Sequence, residues 1–241
     1  QDIKQDVNSS SEAELGPYDL WLLNNASKVS KSIEENMERM SVKISVTQAF
    51  FIMENAYREY KKYVNGKLNL SVIKDFIRYW AVMLAPYAPF TAEEMYRLVG
   101  KKESVFLESW PSEIPYDEKV DVEIELVNRL VDDIKEVLKL IKKKPSQLIV
   151  FVMDKPKAEK IAEGNAEKDK MGRFMKLKVS MPDMLKGYVG KLDEKEVYMK
   201  HLEYIQRQVG LQVTVKNSSE AESDELQRAK NALPFKPALA F

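Results

Sequence analysis

Hydrophobic side chains between residues 17 and 100 recur at steps of three and four, which is the spacing of one face of an α-helix. A first predicted helix opens at Pro17, a second covers about residues 46–64, and a third begins near Ser71. The second ends at Asn65-Gly66, a pair that favours a left-handed stop. Because short connections join long amphipathic helices, neighbours should be antiparallel. The pattern predicts an up-and-down helix bundle.

A corner follows the third predicted helix. Pro86 and Pro89 cannot lie inside a helix, since proline lacks an N–H and clashes with the preceding turn, so the third helix must end there. A new helix should start at Thr91 as its N-cap, with Glu94 closing a capping box. Gly100 is the expected left-handed stop of this helix. From physical reasoning alone, these residues form a corner between two helices of a bundle and have no further role.

The pattern changes after Trp110-Pro111, where prolines and acidic residues indicate a linker and a domain boundary near residue 113. We expect a junction or flexible lead-in over residues 1–14, a helix bundle over residues 15–113 and a second domain with an extended tail over residues 114–241. The elements predicted for the second domain are a helix over 122–144, a strand over 147–153, a short helix opening at Pro156, a strand over 174–179, a helix over 194–209 and a strand over 211–215. The predicted fold class is mainly α, a bundle followed by a small α+β domain.

Charge is segregated along the chain, although the net charge is zero. Residues 112–133 hold eight Asp and Glu against two Lys and Arg, whereas residues 134–191 hold fifteen Lys and Arg against seven Asp and Glu. A segregation of this size can create a positive field that the whole-chain charge conceals. Lysine-rich faces are also common on ordinary solvated surfaces, so both interpretations stay open.

Composition restricts the class of protein. The apolar fraction is 44%, which indicates a globular chain, and no run approaches the roughly 18 apolar residues of a membrane span. The absence of Cys excludes disulfides and Cys-ligated metals. We therefore expect a cytoplasmic protein that does not enter a membrane. Since the chain begins at Gln1, we also expect a processed product or a piece of a longer protein.

No catalytic centre can be recognised in the sequence. His201 is the only histidine and has no Ser or Cys at a suggestive spacing, so a surface or core role is favoured. The adjacent Glu93 and Glu94 point about 100° apart on a helix, so they do not form an acid–base pair. The eight glycines form no phosphate-binding loop. We predict no catalytic residue, no metal site and no cofactor in this chain.

The corner resembles a known family. The sequence A-P-Y-A-P-F-T-A-E-E-M-Y, followed by S-V-F-L-E-S-W-P, is similar to the signature that closes the anticodon-binding helix bundle of class I aminoacyl-tRNA synthetases. Phe90 occupies the position where that family usually has His, and Met95-Tyr96 the position of Leu-Trp. The proline spacing, Glu93-Glu94 and Trp110-Pro111 agree with the pattern.

The second domain resembles the C-terminal region of archaeal-type leucyl-tRNA synthetases. The resemblance lies in E-L-V-N-R-L-V-D-D-I-K-E-V-L-K-L-I-K, in the strand L-I-V-F-V-M and in the terminal R-A-K-N-A-L-P-F-K-P-A-L. It implies that the chain docks leucine tRNA through the tRNA elbow and the long variable arm, with little use of the anticodon. The partners would be this tRNA and the catalytic and editing domains of a monomeric parent ligase. ATP and Mg²⁺ are expected only in the parent's catalytic core, whose nucleotide motifs are missing here, so this chain alone should be inactive.

The candidate tRNA-binding residues are cations of the basic segment and of the tail, with one terminal aromatic residue. They are Lys142, Lys143, Lys144, Lys155, Lys157, Lys168, Lys170, Arg173, Arg228, Lys230, Lys236 and Phe241. For each lysine, a solvated surface charge is the competing interpretation. At the level of the whole chain, the alternatives are a free-standing helical protein-interaction module without RNA binding and an enzyme with a new carboxylate site.

Overall fold

The computed structural model describes residues 2–9, 11, 13–141, 145–223 and 225–241. The chain divides into two compact units, Gln1–Asp121 and Val122–Phe241. The mainly α fold class predicted from the sequence, a helix bundle followed by a small α+β unit, is confirmed. The domain limits at residues 14 and 113 stay predictions. Within the described ranges, none of the helices is both long enough and apolar enough to cross a lipid bilayer.

The first unit is built from helices. Those formed by its described residues are α1 Asp2–Ser9, α2 Pro17–Glu38, α3 Val42–Thr47, α4 Met53–Tyr63, α5 Leu70–Leu84 and α6 Pro89–Leu98. A π-helical turn, Gln48–Ile52, joins α3 to α4. The helix predicted near residues 46–64 is therefore real but contains a widened turn, where the indole Nε1 of Trp80 donates a 2.7 Å hydrogen bond to the carbonyl of Ala49.

Residues 2–9 differ from the expected loose lead-in, because they form α1. Ile3 and Val7 pack against the core of the bundle. Asp6 accepts a 2.8 Å hydrogen bond from the Tyr57 hydroxyl and forms a 2.7 Å ion pair with Lys61. The helix is short and polar, so two apolar residues four apart were the only periodic signal for it.

A buried polar network around Asp19 fixes the start of α2. Asp19 accepts hydrogen bonds from the Gly16 N–H at 2.8 Å, the Tyr60 hydroxyl at 2.5 Å and the Asn69 side-chain amide at 3.2 Å. Burial, with a further contribution from Asp19, raises the pKa of Tyr60 above its ordinary value. The hydrogen bonds from Tyr60 and Asn69 to Asp19 join α2 to α4 and to the residue before α5. They also give each of these buried polar side chains a partner, as buried polar groups require.

The segment predicted as a linker lies against α2. The Ser30 hydroxyl donates to the carbonyl of Pro111 at 2.7 Å, and the Ser27 hydroxyl donates to that of Ile114 at 3.2 Å. Asn24 exchanges two hydrogen bonds with the backbone of Asp117, at 2.7 and 2.9 Å. Small polar residues on one face of α2 therefore bind the backbone that follows the bundle.

The predicted capping box of α6 is wrong. Pro89 occupies the first turn and Ala88 is the N-cap, so Thr91 lies inside the helix and Glu94 is exposed. Proline is favoured at this position because its missing N–H would have no helical partner there and its φ already suits a helix. The predicted stop is confirmed: Gly100 has φ +87° and donates to the carbonyl of Arg97.

The second unit combines helices with a small sheet. The elements of its described part are α7 Glu118–Leu140, which begins before the division between the units, β1 Gln147–Val152, α8 Lys155–Ala162, α9 Lys168–Val179, α10 Asp183–Lys186, α11 Glu194–Lys200, α12 Leu202–Val209, β2 Gln212–Asn217, α13 Leu226–Ala229 and β3 Ala238–Ala240. The strand order is β2-β1-β3. β1 pairs in parallel with β2, Gln147 opposite Gln212, and antiparallel with β3, Ile149 opposite Ala240.

This unit differs from the sequence predictions in several places: α7 begins four residues early, α10 and α13 were not predicted, and three further differences concern a strand, a helix and β3. The strand predicted over residues 174–179 is the second half of α9, in which Phe174 is the buried side chain. The helix predicted over residues 194–209 is interrupted at His201, between α11 and α12. β3 was not predicted, because its three residues are too few to show an alternating pattern. The strands predicted from the runs beginning at Gln147 and Leu211 are present.

Candidate nucleic-acid interface

The carboxyl ends of the parallel strands β1 and β2 carry a hydrogen-bonded cluster around Asp154. Asp154 accepts from Lys157 Nζ at 2.7 Å, from the Ser218 hydroxyl at 2.6 Å and from the Ser219 hydroxyl. Burial alone would raise the pKa of Asp154, but these hydrogen bonds outweigh it and hold the pKa well below its ordinary range. The candidate Lys157 is therefore partly neutralised, whereas Lys155 is exposed and forms no ion pair with any residue that the structure describes.

The helix α9 carries three of the predicted cations. Lys168 is exposed, and Lys170 lies 3.8 Å from the Glu167 carboxylate, which is itself largely in solvent. Arg173 donates hydrogen bonds of 3.4 and 3.5 Å to the backbone carbonyl and side-chain oxygen of Asn231. Arg173 therefore joins α9 to the tail, residues 226–241, and brings together two regions that the sequence nominated separately.

The tail presents two more predicted cations beside this junction. Arg228 and Lys230 are exposed, and neither forms an ion pair within the described part of the chain. Between them, Ala229 is buried at 1% exposure and anchors α13. Exposed cations on a buried anchor are held in place while their charged ends remain in water.

Two predicted tail residues are placed differently. Lys236 forms a 2.9 Å ion pair with Asp133 of α7, so part of its charge is compensated. Phe241 is 39% exposed at the chain end. Lys142, Lys143 and Lys144 lie outside the described residues, so their proposed role stays a prediction.

Sequence reasoning missed Lys176 of α9. This lysine is exposed, as is Lys160 of α8. Lys176 escaped notice because residues 174–179 were interpreted as a strand; on a helix it follows Arg173 by three residues and belongs to the neighbouring surface. Six cations of α9 and the tail form what we call the cationic surface. They are Lys168, Lys170, Arg173, Lys176, Arg228 and Lys230.

The electrostatics of this region favour an anionic partner. Between residues 155 and 178, eight Lys and Arg stand against four Asp and Glu. Several of its cations have no carboxylate partner, so their charge is available to phosphate groups. Exposed large hydrophobic side chains on α9 are Met175 and Val179, neither of which is aromatic. The surface can therefore contact phosphates, but it offers no aromatic ring on α9 for base stacking.

The corner of the first unit, residues 80–110, is occupied with internal contacts. Glu93 Oε1 accepts from the Ser104 hydroxyl and from the Val105 N–H at 3.2 Å. Glu108 accepts from the Tyr96 hydroxyl and lies 3.4 Å from Arg78. Burial, reinforced by Glu108, raises the pKa of Tyr96 to about 12. Glu93 therefore connects α6 to the backbone leaving the corner, whereas the adjacent Glu94 is exposed and has no side-chain partner among the residues that the structure describes.

The groups considered for catalysis are also internal. His201 is 1% exposed, and its Nε2 lies 3.9 Å from Glu123, which pairs with Lys200 at 2.7 Å. Of the two roles expected for this histidine, surface or core, its burial agrees with the core role. Among the described residues, no group of three His, Cys, Asp or Glu side chains is arranged to hold a metal ion.

A groove of about 800 Å³ opens on the first unit. Phe50, Tyr57 and Trp80 are among its lining residues, together with three cations. These cations already have carboxylate partners: Arg58 with Glu54 at 2.5 Å, Lys61 with Asp6 at 2.7 Å and Lys62 with Glu59 at 2.5 Å. The groove therefore attracts anions less than the cationic surface does.

Comparison with known proteins assigns the chain to a class. The family model described as the anticodon-binding domain of tRNA ligase matches residues 19–150, more than half of the chain. The chain belongs to this family of anticodon-binding domains. Its similarity to leucine–tRNA ligases covers nearly the whole chain, as the resemblance of the corner and the tail predicted.

Three relatives illustrate this similarity. The chain is 26% identical to leucine–tRNA ligase 2 of Metallosphaera sedula over 93% of its length, 31% identical to the leucine–tRNA ligase of Archaeoglobus fulgidus over 94%, and 24% identical to that of Pyrococcus abyssi over 96%. The matched region is 26%, 25% and 26% of these proteins, respectively. The chain thus spans about a quarter of the length of the curated relatives it matches.

Proposed function

We propose that this chain is the tRNA-binding C-terminal region of a leucine–tRNA ligase. In this proposal it docks leucine tRNA by the elbow and the long variable arm, and a catalytic core outside this chain performs the ATP-dependent leucylation. The observation that carries the proposal is the cationic surface, in which Arg173 joins α9 to Asn231 beside the exposed Arg228 and Lys230. The similarity to leucine–tRNA ligases supports the choice of RNA.

The chemistry of the surface fits a folded RNA. Lysine and arginine contacts to phosphate position an RNA without reading its bases, and duplex RNA is recognised mainly by shape, phosphate and 2′-hydroxyl contacts. A surface rich in cations and poor in exposed aromatic rings suits a duplex arm better than unstacked bases. This reasoning supports contact with the arm of a tRNA rather than with its anticodon.

Further parts of the proposal concern the surroundings of the chain. ATP and Mg²⁺ are assigned to the catalytic core and no cofactor to this chain. The catalytic and editing domains of the parent ligase are proposed as protein partners, and the parent is proposed to be a cytoplasmic monomer. The length of the matched relatives is compatible with such additional domains.

The test measures binding of this chain to a leucine tRNA transcript, with and without its long variable arm, between about 50 and 200 mM salt. We expect affinity to fall as salt rises, since each phosphate contact releases counterions, and to fall again when the arm is removed. A tRNA with a naturally short variable arm is the control for general phosphate attraction. The proposal would be refuted if the chain did not bind this tRNA, or if its affinity changed neither with salt concentration nor on removal of the variable arm.

A second candidate function rests on a different observation. The α3 region exposes several large apolar side chains, including Met40 at 84%, Phe51 at 61% and Ile44 at 49%. Exposed apolar side chains in one region favour a protein contact, as expected of a free-standing interaction module. Capture of a protein partner through these residues, unaffected by ribonuclease and combined with no affinity for tRNA, would favour this candidate.

A further inference from the structure

The tail contains a tight turn with an unusual backbone. Leu233 and Lys236 exchange backbone hydrogen bonds of 3.0 and 2.9 Å, so Pro234 and Phe235 form its two corners. Phe235 has φ +59°, in the left-handed region. Glycine or asparagine is usual at the second corner of such a turn, because a Cβ strains this conformation. The surroundings of Phe235 must therefore hold the turn in place.

Glu194, at the start of α11, is the polar group that holds it. The Phe235 N–H donates a 2.9 Å hydrogen bond to Glu194 Oε1, and both residues are 4% exposed. The other carboxyl oxygen, Oε2, is buried and has no hydrogen-bond partner among the described residues. A buried carboxylate with a single hydrogen bond is far costlier charged than neutral. Burial accordingly raises the pKa of Glu194 to about 8, against the opposing effect of the Phe235 hydrogen bond.

The influences on the pKa of Glu194 are burial, the Phe235 N–H and Asp193, and none of them is a positive charge. Asp193 precedes it in the chain and raises its pKa further. Tyr198, one turn later on α11, is 1% exposed. The charged groups of the other elements near this pair are Arg129 and Asp133 on α7 and Lys236 in the tail. Because Lys236 pairs with Asp133 at 2.9 Å, its charge is already engaged.

The turn is connected to the exposed cations of the tail. Ala232 and Leu233, which enter the turn, are buried. Asn231, immediately before them, accepts the hydrogen bonds of Arg173. Arg228 and Lys230 precede Asn231 by three residues and one residue in the same short segment, so release of the turn would loosen the chain that carries both cations.

We propose that Glu194 is a positioning residue for RNA binding, which in its neutral form docks the Pro234–Phe235 turn and so holds Arg228 and Lys230 against α9. The inference rests on the proposed function, because it assigns the tail cations to RNA. Ionisation of Glu194 then leaves a charge in an apolar site, which favours release of the turn. Release separates the tail cations from α9 and weakens the cationic surface.

The direction of the pH dependence follows from linkage. The docked state holds the proton of Glu194 more tightly than the released state, in which the carboxyl group returns to its ordinary pKa. Docking is therefore strongest below the ordinary pKa and weakens as pH rises. The equilibrium for release should increase by about tenfold per pH unit between about pH 5 and pH 8, and level off above the raised pKa.

The first measurement needs no RNA. Amide hydrogen exchange of Phe235 is followed from about pH 6 to about pH 8.5 in the wild type and in Glu194→Gln, which keeps the shape and stays neutral. The wild-type rate divided by the variant rate cancels intrinsic exchange and should rise with pH. Glu196→Gln is the matched control, because Glu196 is exposed on the same helix; its ratio to wild type should stay constant. A wild-type to Glu194→Gln ratio independent of pH would refute the docking of the Pro234–Phe235 turn by neutral Glu194, which we call the latch.

The second measurement links the latch to RNA. The affinity of the same three proteins for a leucine tRNA transcript is measured over the same pH range. We expect wild type and Glu196→Gln to lose several-fold relative to Glu194→Gln as pH rises. If exchange follows the expected course but the affinities stay parallel, the positioning role is refuted and the latch remains. Absent binding by all three proteins at every pH would instead refute the proposed function, whatever the exchange ratio shows.

Discussion

The corner of the first unit and the cationic surface of the second use their residues in opposite ways. In the corner, two carboxylates of the family signature are engaged by internal partners: Glu93 by Ser104 and Val105, and Glu108 by Tyr96. On the cationic surface, by contrast, Lys168 and Arg228 extend into solvent without an ion-pair partner in the described part of the chain. The corner stabilises the fold, and the surface has charge available for a partner.

This difference explains why the recognisable motif is not the proposed binding site. A corner that joins two helices requires particular residues at particular spacings, so it leaves a pattern in the sequence. A surface that attracts phosphate requires only cations that point outward, and lysines can supply these from many positions. The motif therefore assigns the family, whereas the proposed function depends on residues that form no motif.

The largest expected effect comes from removing charge on the cationic surface. The triple variant Lys168→Gln, Lys176→Gln and Arg228→Gln should lower affinity for leucine tRNA by about a hundredfold, at about 1 kcal/mol for each lost phosphate contact. The slope of log affinity against log salt should become shallower, because fewer counterions are released on binding. The measurement is a binding titration repeated over a salt series.

A matched variant keeps this prediction specific. Lys67, Lys101 and Lys102 are exposed lysines of the first unit. Their simultaneous change to Gln alters the net charge by the same amount and should reduce affinity much less. Equal losses in the two triple variants would mean that the charge of the whole chain, rather than the cationic surface, attracts the RNA.

A smaller effect, on stability alone, is expected in the corner. Glu93→Ala removes the acceptor of the Ser104 hydroxyl and of the Val105 N–H, and Val105 is 1% exposed. Leaving a buried donor without a partner should lower the free energy of unfolding by about 2 kcal/mol. Denaturant unfolding measures this loss, and the affinity of the folded protein for tRNA should be unchanged.

The adjacent carboxylate is the control. Glu94 is exposed, so Glu94→Ala should change the free energy of unfolding by less than about 0.5 kcal/mol. The two outcomes would be reversed if Glu94 closed a capping box with Thr91. A loss in Glu94→Ala as large as that in Glu93→Ala would therefore contradict the arrangement of the corner.

Helices with a clear apolar period were predictable, and features that depend on distant contacts were not. The helix from Pro17 and the ends at Asn65-Gly66 and Gly100 follow from local rules, and the structure has them. The predicted start of α6 was wrong because two signals for a helix N-terminus, Pro89 and Thr91, lie within three residues of each other. The helix begins at Pro89. The strand predicted over residues 174–179 was wrong because Lys176 and Lys178 alternate with apolar residues, as polar residues do in a strand. That Phe174 is the buried side chain of a helix is visible only in the structure.

The candidate interface shows the same division. Composition located the basic segment, but it could not show that Lys157 is engaged by Asp154 or Lys236 by Asp133, because both pairs depend on the fold. The junction of Arg173 with Asn231 joins residues 58 positions apart, and no local pattern indicates it. Glu194 was not selected either, since an ordinary glutamate at a helix start gives no sign of being buried beneath a turn of the tail.

The smallest expected effect concerns Phe90, the position where the resembled family usually has His. Its side chain is 88% exposed, so Phe90→Ala and Phe90→His should each change the free energy of unfolding by less than about 0.5 kcal/mol. Affinity for leucine tRNA should stay within about twofold of wild type, because the proposed interface does not include the corner. Both quantities come from the unfolding and binding measurements already described.

This position is the most sensitive test of the contrast between the two regions, because Phe90 is the most exposed of the large apolar side chains in the corner, at 88% against 59% for Phe106 and 75% for Leu107. An exposed aromatic ring can stack on an unpaired base, and truncating such a contact typically weakens binding by about 1–3 kcal/mol. A loss of that size in Phe90→Ala, recovered in part by Phe90→His, would make the corner a second RNA contact. Unchanged binding would leave the corner with a structural role alone and the cationic surface as the place where the chain meets its RNA.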